Sequence, residues 1–173
     1  MNDLKTKYFL KVSVRDSKIS GQGLFADQKI SRGTLILSFG GVLCSQKDRF
    51  SNNVLPSTCT GVTENIIICE AFNSTKDKSD YINHSCSPNA GMFDALTLVA
   101  IRDIGANEEI MCDYAFWEGD EIWKMKNNCQ CNASNCRKII TGKDWKKINS
   151  SHKYYEFYSP FIKKRILENE KKN

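Results

Sequence analysis

Three cysteines lie close together in one polar segment of the chain, Cys129-Gln130-Cys131-Asn132-Ala133-Ser134-Asn135-Cys136. The segment has no hydrophobic periodicity and is too polar for a core, so a loop of inert buried thiols explains this spacing poorly. Thiolates at this spacing suit tetrahedral Zn²⁺. Since three thiolates do not close a structural zinc site, a fourth ligand must come from elsewhere in the chain. The segment therefore predicts a loop that is ordered by zinc.

The other cysteines are spread along the chain. Cys44, Cys59 and Cys69 lie in or beside apolar stretches, so we expect them to be small core residues. Eight cysteines among 173 residues are too few for a disulfide scaffold, and residues 1–5 lack the apolar character that directs secretion. We therefore expect reduced cysteines in a nuclear protein, a cytoplasmic protein or an exported effector, without secretion through a signal peptide.

Composition predicts one packed unit. Apolar residues make up 40% of the chain and aromatic residues 10%, which suffices for one core and argues against disorder. A chain of this length is expected to form one domain with at most a small appendix. No apolar segment approaches the roughly 20 residues that a membrane-spanning helix needs, so no membrane partner is expected.

The net charge of +5 is concentrated at the end of the chain. Residues 143–173 carry nine basic and four acidic side chains, whereas residues 1–142 are balanced. One interpretation is the solvated surface of a helical segment. The alternative is a basic face for an anionic partner such as nucleic acid or an acidic peptide. No helix-turn-helix, RNP-type or zinc-finger signature favours nucleic acid specifically.

Short β-branched or apolar segments, separated by turn residues, predict a mainly β body. These segments cover residues 8–14, 34–39, 66–69, 95–101 and 110–113. Two of the connecting regions resemble each other, since Ala26, Ile30, Gly33 and Ile36 have the same spacing as Ala100, Ile104, Asn107 and Ile110. Because Gly and Asn accept left-handed backbone most readily, the same strand-turn-strand corner is expected at both places.

Helical patterns begin only after residue 142. Asp144 is expected to cap a short turn that buries Trp145 and Ile148. Ser159-Pro160 has the residue types of a helix N-cap and first helical position. The helix that follows is expected to bury the apolar side chains Phe161, Ile162, Ile166 and Leu167.

Three further segments contain glycine turns or polar residues that a hydrophobic core does not explain. They are Ser20-Gly21-Gln22-Gly23-Leu24-Phe25, Asn83-His84-Ser85-Cys86-Ser87-Pro88-Asn89 and Glu108-Glu109-Ile110-Met111-Cys112-Asp113-Tyr114. A single Gly-x-Gly without a following helix is a weak nucleotide-binding signal. A lone histidine is usually structural, but the cluster of donors and acceptors around His84 does not suit a strand or a core. The third segment predicts a strand that ends in a tyrosine beside an acid.

In this order, the three segments and the cysteine loop resemble the SET-domain protein lysine methyltransferases over roughly residues 8–142. The resemblance implies a SET domain at 8–115, a post-SET zinc segment at 116–142 and a basic, partly helical extension at 143–173. It also implies a β fold of several short curved sheets, with a knot-like crossing around Asn83. In that family the cysteine corresponding to Cys86 completes the zinc site with Cys129, Cys131 and Cys136.

The resemblance further implies S-adenosylmethionine as cofactor and a protein lysine, for example in a histone tail, as substrate. Residues corresponding to Gly21, Gln22, Gly23, Asn83 and His84 hold the cofactor in that family. Tyr114 matches the catalytic tyrosine, and Phe39 and Cys112 match positions that line the lysine channel. The alternatives are a SET-like module that binds a peptide or chromatin with little catalysis, and a zinc-stabilised nucleic-acid binder that uses the basic tail.

Four positions depart from the family's usual residues. Phe39 replaces a tyrosine, Asp80 a basic residue, Asn107 a glycine, and Cys112 a large aromatic two positions before the tyrosine. Because a small residue at 112 leaves room around the amine, we expect di- or trimethyl-lysine as product. These departures leave the implied reaction class unchanged.

Overall fold

The structure is a computed structural model that describes residues 4–172. Within that range the body consists of short strands, none longer than five residues. They are β1 (Lys7–Tyr8), β2 (Val12–Asp16), β3 (Gln22–Ala26), β4 (Leu35–Ser38), β5 (Val42–Ser45), β6 (Thr60–Gly61), β7 (Ile66–Cys69), β8 (Asn83–His84), β9 (Ala90–Met92), β10 (Thr97–Ala100) and β11 (Glu109–Cys112). The predicted mainly β fold is confirmed.

β11 is the strand around which the candidate site assembles. It pairs antiparallel with β3, Glu109 lying opposite Phe25, and parallel with β8, Met111 lying opposite Asn83. It also pairs with β9 in the sheet whose order is β1-β4-β10-β9-β11-β3-β2. These pairings bring the three polar segments of the sequence to one place.

The predicted strand at 8–14 is wrong as a single element. β1 ends at Tyr8 and pairs with β4, whereas β2 starts at Val12 and pairs with β3. The chain therefore changes partner strand between them, and Phe9 is left exposed. The other predicted strand segments contain β4, β7 and β10, and the predicted segment at 110–113 is shifted by one residue from β11.

A smaller sheet of order β5-β7-β6 contains a disulfide between Cys59 and Cys69. Both cysteines are buried, as predicted for core residues, but the expectation of reduced thiols is wrong for this pair. Antiparallel pairing of Thr60 with Ile68 brings the two cysteines side by side, which composition alone does not reveal. Cys44, which is half-buried and free, packs against the same cluster.

The predicted repeated corner is present. Gly33 and Asn107 both have left-handed backbone, with φ of 84° and 66°. The two corners also contact each other, since Ile30 and Ile104 form an antiparallel bridge. Asn107 therefore occupies the conformation that glycine usually takes at such a turn.

The C-terminal helix α1 spans Pro160–Glu170, with Ser159 at its N-cap as predicted. Phe161, Ile162 and Ile166 are buried, but Leu167 is 42% exposed. The prediction for Leu167 is wrong because it follows Ile166 directly and is rotated about 100° around the helix axis.

The predicted turn at Asp144 is a 3₁₀ helix over Asp144–Lys147. Its N-cap is Lys143, so the predicted cap position is off by one. Asp144 lies inside the turn, where its carboxylate accepts a hydrogen bond from the Thr141 backbone N–H. Trp145 is buried as expected, but Ile148 is only partly buried.

The C-terminal segment packs into the main core. Tyr158 and Ile162 belong to the same buried cluster as Leu24 of β3. The Ser159 N–H donates to the Phe116 carbonyl at 2.7 Å, and the Phe116 and Tyr158 rings lie 4.8 Å apart, centroid to centroid. Among the described residues, no helix combines the length and apolar composition that crossing a membrane requires.

Several basic side chains of residues 143–173 form ion pairs. They are Lys146 with Glu121, Lys147 with Asp144, Lys164 with Glu168 and Arg165 with Glu64. Part of the positive charge of this segment is thus neutralised within the protein. This pairing favours a solvated surface over a face reserved for an anionic partner.

Candidate active site

Two cavities meet at the side chain of Tyr114. The first, here called the Phe39 cavity, has a volume of about 290 Å³, and its walls include Phe39, Asp80, Ile82, Trp117 and Trp123. The second, here called the Asn83 cavity, has a volume of about 530 Å³, and its walls include Ser20, Asn83, His84, Cys129 and Gln130. Tyr114, Met125 and Lys126 line both cavities. Molecules bound in the two cavities would therefore both contact Tyr114.

Tyr114 is held at both its backbone and its hydroxyl. Its N–H donates to Nδ1 of His84 at 3.2 Å, and its hydroxyl donates to the Ile82 carbonyl at 2.8 Å. Its ring lies against the rings of Trp117 and Trp123, at centroid distances of 5.7 and 6.1 Å. Burial raises the pKa of the Tyr114 hydroxyl well above its ordinary value. The group therefore stays neutral and acts as a hydrogen-bond donor.

Asn83 joins the three polar segments of the sequence. Its Nδ2 donates to the Gln22 carbonyl at 3.0 Å and to Oε1 of Glu109 at 2.7 Å. A Cβ at Gly23 would lie 2.1 Å from Oε1 of Glu109, so a larger residue there would displace the Glu109 carboxylate that Asn83 contacts. Gly21 has left-handed backbone, with φ of 49°. The glycine turn thus supports Asn83 through close backbone approach.

Not all the predicted cofactor residues line a cavity. Asn83 and His84 are on the wall of the Asn83 cavity, together with Ile19 and Ser20. Gly21, Gln22 and Gly23 do not line that cavity, but the Gln22 carbonyl accepts a hydrogen bond from Asn83, which does. The two residues before the glycine turn are therefore candidates that the sequence pattern missed, because exposure of Ile19 and Ser20 cannot be read from residue type.

The two predicted channel residues occupy different environments. Phe39 is half-buried, lines the cavity named after it, and meets Trp117 edge-on at a centroid distance of 6.0 Å. Cys112 is completely buried in β11, directly opposite His84 of β8, and is on the wall of neither cavity.

Four cysteine sulfurs form a cluster. Sγ atoms of Cys86, Cys129, Cys131 and Cys136 all lie within 4.8 Å of one another. The Cys86 backbone N–H donates to Sγ of Cys131 at 3.4 Å. The Arg137 backbone N–H donates to Sγ of Cys86, also at 3.4 Å. Four thiols in this arrangement match a closed tetrahedral Zn²⁺ site, which stabilises structure and leaves no position for a reacting molecule.

The Cys86 thiol needs a cation to ionise. Burial raises the pKa of the Cys86 thiol to about 11, so at neutral pH it is protonated unless a metal ion displaces the proton. The loop that carries the other three cysteines also forms a wall of the Asn83 cavity through residues 125–130. The Asn83 cavity therefore has this wall only when the cysteine loop is folded.

A buried ion pair supports the Phe39 cavity. Arg49 and Glu118 are only 3% and 5% exposed, and Nη2 of Arg49 lies 2.7 Å from Oε2 of Glu118. Arg49 comes from the 3₁₀ helix Gln46–Phe50, and Glu118 follows the turn that carries Tyr114. Asp80 lies on the same cavity, where burial raises the pKa of its carboxyl to about 7.

Comparisons with known proteins identify the fold and the family. The family model described as SET domain matches residues 21–115. The chain is 29% identical over 159 residues to the putative histone-lysine N-methyltransferase ASHH4 of Arabidopsis thaliana, covering 84% of this chain and 44% of that protein. It is 27% identical over 149 residues to histone-lysine N-methyltransferase 2D of Homo sapiens, covering 78% of this chain and 3% of that protein.

One solved structure, described as the crystal structure of KRYPTONITE in complex with mCHG DNA and SAH, has a similar fold. The TM-score is 0.60 at 22% sequence identity, over 76% of this chain and 29% of that one. Since the family model matches more than half of its residues, this chain belongs to the SET-domain family. The predicted fold is thus confirmed. The chain spans less than half the length of the curated relatives described above.

Proposed function

We propose that this protein is an S-adenosylmethionine-dependent protein-lysine N-methyltransferase. The observation that carries the proposal is the meeting of two cavities at the Tyr114 side chain. Methyl transfer from a sulfonium to an amine is an in-line displacement, so an enzyme for this reaction mainly has to align two molecules approaching from opposite sides. The geometry around Tyr114 supports such an alignment.

The Asn83 cavity is the side that fits the cofactor. Asn83, His84 and Ser20 present side-chain and backbone polar groups to it, and the cysteine loop covers it. S-adenosylmethionine supplies an electrophilic methyl group when bound. The residues of this chain contribute by holding that molecule with its reactive end toward Tyr114 and by excluding water from the junction.

The Phe39 cavity suits a lysine side chain. Phe39, Trp117 and Trp123 give it aromatic walls that fit the methylene chain of lysine. A free lysine has a pKa near 10.4, so only about one amine in a few thousand is neutral at pH 7. Transfer into this apolar cavity lowers the amine pKa by desolvation and increases the neutral fraction.

Tyr114 orients the amine and does not deprotonate it. Its raised pKa keeps the hydroxyl protonated, so the hydroxyl cannot serve as the base. Ile82, whose carbonyl accepts the tyrosine hydrogen bond, lines the same cavity, so its carbonyl would be a second polar group near the amine. The proton leaves the ammonium group for solvent before the amine attacks.

Histone tails are the first substrates to test. Relatives across plant, animal and parasite species carry names that describe histone-lysine N-methyltransferases. Lysine-rich proteins other than histones belong in the same test, because Asp80, on the wall of the Phe39 cavity, differs from the family's usual basic residue.

A radiolabelled methyl donor tests the proposal directly. Purified protein is incubated with labelled S-adenosylmethionine and either mixed core histones or other lysine-rich proteins, with Tyr114→Phe as the matched control. We expect label on a protein lysine that depends on Tyr114. Folded, zinc-loaded protein that transfers no label to any of them, yet binds histone peptides, would instead establish a binding module.

A further inference from the structure

Arg137 connects the cysteine cluster to the turn that carries Tyr114. Its Nη1 and Nη2 donate to the two carboxylate oxygens of Asp113, at 2.6 and 2.7 Å. Its Nε donates to Oδ2 of Asp144 at 3.0 Å. Asp113 and Asp144 are each 3% exposed. One guanidinium thus forms hydrogen bonds with two buried carboxylates, one in the β body and one in the C-terminal segment.

Asp113 determines the path of the backbone at Tyr114. It is the N-cap of the 3₁₀ helix Tyr114–Phe116, and its Oδ1 accepts from the Ala115 N–H at 3.0 Å. Rotation of the Asp113 carboxylate would release this turn. The bidentate contact with Arg137 prevents the rotation, because two parallel hydrogen bonds fix the plane of the carboxylate.

The backbone of Arg137 makes a separate contact with the cysteine cluster. Arg137 follows Cys136 directly, and its N–H donates to Sγ of Cys86 at 3.4 Å. The side chain and the backbone of one residue therefore contact the tyrosine turn and the candidate zinc ligands at the same time. Closure of the cysteine loop places the guanidinium against Asp113.

We propose that Arg137 is a positioning residue for Tyr114, acting through Asp113. The effect of Arg137 on catalysis rests on the proposed methyltransferase function. Arg137 does not contact either substrate, since it lines neither cavity. When the cysteine loop is folded, Arg137 holds Asp113 and thereby fixes the orientation of the Tyr114 hydroxyl. Through Asp144, the C-terminal segment contributes to the same orientation.

Arg137→Lys is the informative substitution. Lysine keeps the positive charge but cannot form the two parallel hydrogen bonds that fix Asp113. A displacement of about 1 Å at a catalytic group lowers turnover by up to roughly 100-fold, so we expect kcat to fall about 10- to 100-fold. The dissociation constant for S-adenosylmethionine and the zinc content are expected to stay unchanged.

Arg102→Lys is the matched control. Arg102 donates to Oε1 of Glu108 at 2.6 Å and to the Asp103 carbonyl at 2.8 Å, and its side chain is 49% exposed. Its substitution is expected to leave kcat unchanged. An Arg137→Lys variant that keeps the wild-type kcat, or that loses cofactor affinity and zinc in parallel with kcat, would overturn the positioning role.

A double-mutant cycle tests whether Arg137 acts on Tyr114 through Asp113. If Arg137 acts through Asp113, then Arg137→Lys combined with Asp113→Asn should lower kcat no further than the more damaging single change. Additive losses would mean that Arg137 acts elsewhere. If Arg137→Lys does not fold, Asp144→Asn weakens the Nε contact, together with the contacts of Asp144 to Thr141 and Lys147, and leaves Asp113 unchanged. A fall in its kcat at unchanged zinc content is still expected. No fall would refute the coupling to the C-terminal segment.

Hydrogen exchange provides a readout that does not depend on activity. Amide exchange in a peptide covering residues 113–117 is expected to accelerate in Arg137→Lys and to stay slow in Arg102→Lys. Unchanged exchange there would refute the proposal even in an active enzyme. Accelerated exchange in a protein without methyl-transfer activity would confirm the contact and refute only the proposed function.

Discussion

The Tyr114 hydroxyl donates a hydrogen bond to the backbone carbonyl of Ile82, the residue that immediately precedes Asn83. A displacement of the strand that carries Asn83 must therefore also displace the tyrosine hydroxyl. The segment Ile82-Asn83 thus connects the tyrosine hydroxyl to the Asn83 cavity. A variant that removes the hydroxyl tests the positioning of the amine separately from the binding of the cofactor.

Tyr114→Phe is expected to lower kcat by about 100- to 1,000-fold, because the hydroxyl oxygen that can accept a hydrogen bond from the substrate amine and orient its lone pair is lost. Affinity for S-adenosylmethionine is expected to change little, since Asn83 and His84 keep their contacts with the glycine turn and with β11. Single-turnover kinetics and calorimetric binding measure the two quantities. A variant with nearly the wild-type rate would exclude Tyr114 from the mechanism.

One Zn²⁺ per chain is expected, bound by Cys86, Cys129, Cys131 and Cys136. Elemental analysis of the purified protein measures it, and Cys86→Ser should lose the metal because one of four ligands is removed. On chelation, amide exchange should rise mainly in residues 115–142, where polar residues leave little apolar surface to maintain order.

Cys44→Ser is the control for that experiment. Cys44 is a free cysteine in the smaller sheet, remote from the sulfur cluster, so its variant should keep a full complement of zinc. Full zinc content in Cys86→Ser would place the fourth ligand elsewhere in the chain.

The product is expected to be di- or trimethyl-lysine. Phe39, on the wall of the Phe39 cavity, lacks a hydroxyl that could restrain the amine, and Cys112, which lines neither cavity, is much smaller than an aromatic residue and a weak hydrogen-bond partner. Because Cys112 is fully buried, Phe39→Tyr is the milder test of the same idea and should shift the product toward fewer methyl groups. Mass spectrometry of a peptide at long reaction times decides. Accumulation of monomethyl-lysine alone in the wild type would contradict this interpretation.

Asp80 makes stability depend on pH. Its carboxyl has a pKa of about 7, raised mainly by burial and also by Glu70 and Asp77, while the Asp77 N–H and Lys76 lower it. A carboxyl whose pKa is raised by folding stabilises the protein at low pH, and that contribution is lost as pH rises from about 4 to about 7. Asp80→Asn avoids this loss.

The difference in melting temperature between Asp80→Asn and wild type should therefore grow from pH 4 to pH 7 and stay constant above it. Asparagine can still accept the hydrogen bond from the Asp77 N–H, so the local turn is preserved. Thermal unfolding at several pH values measures the difference. A difference that does not vary with pH would mean that the carboxyl titrates normally in the folded protein.

Much of the site can be predicted from the sequence because its chemistry is local. Cys129, Cys131 and Cys136 are neighbours along the chain, and the residues around Asn83 and Tyr114 form short polar segments that no core requires. The same holds for the turns at Gly33 and Asn107, where residue type alone predicts left-handed backbone, which the structure confirms.

The remaining features depend on partners that are distant in the sequence. Arg137 and Asp113 are 24 residues apart, and Arg49 and Glu118 are 69 apart. Nothing in the type of either residue specifies its partner, because many surface charges could form such pairs. The Cys59–Cys69 disulfide was missed for a related reason, since it depends on the register of two strands.

The similarity to the family model ends at residue 115, but the folded unit does not. The Phe116 carbonyl accepts a hydrogen bond from the Ser159 N–H, and the rings of Phe116 and Tyr158 pack against each other in the core. A protein cut after the cysteine loop would keep every residue of the candidate active site and still lose one wall of its interior. We therefore expect the smallest fragment that folds stably to include Tyr158, because its end is determined by core packing and not by the last recognisable motif.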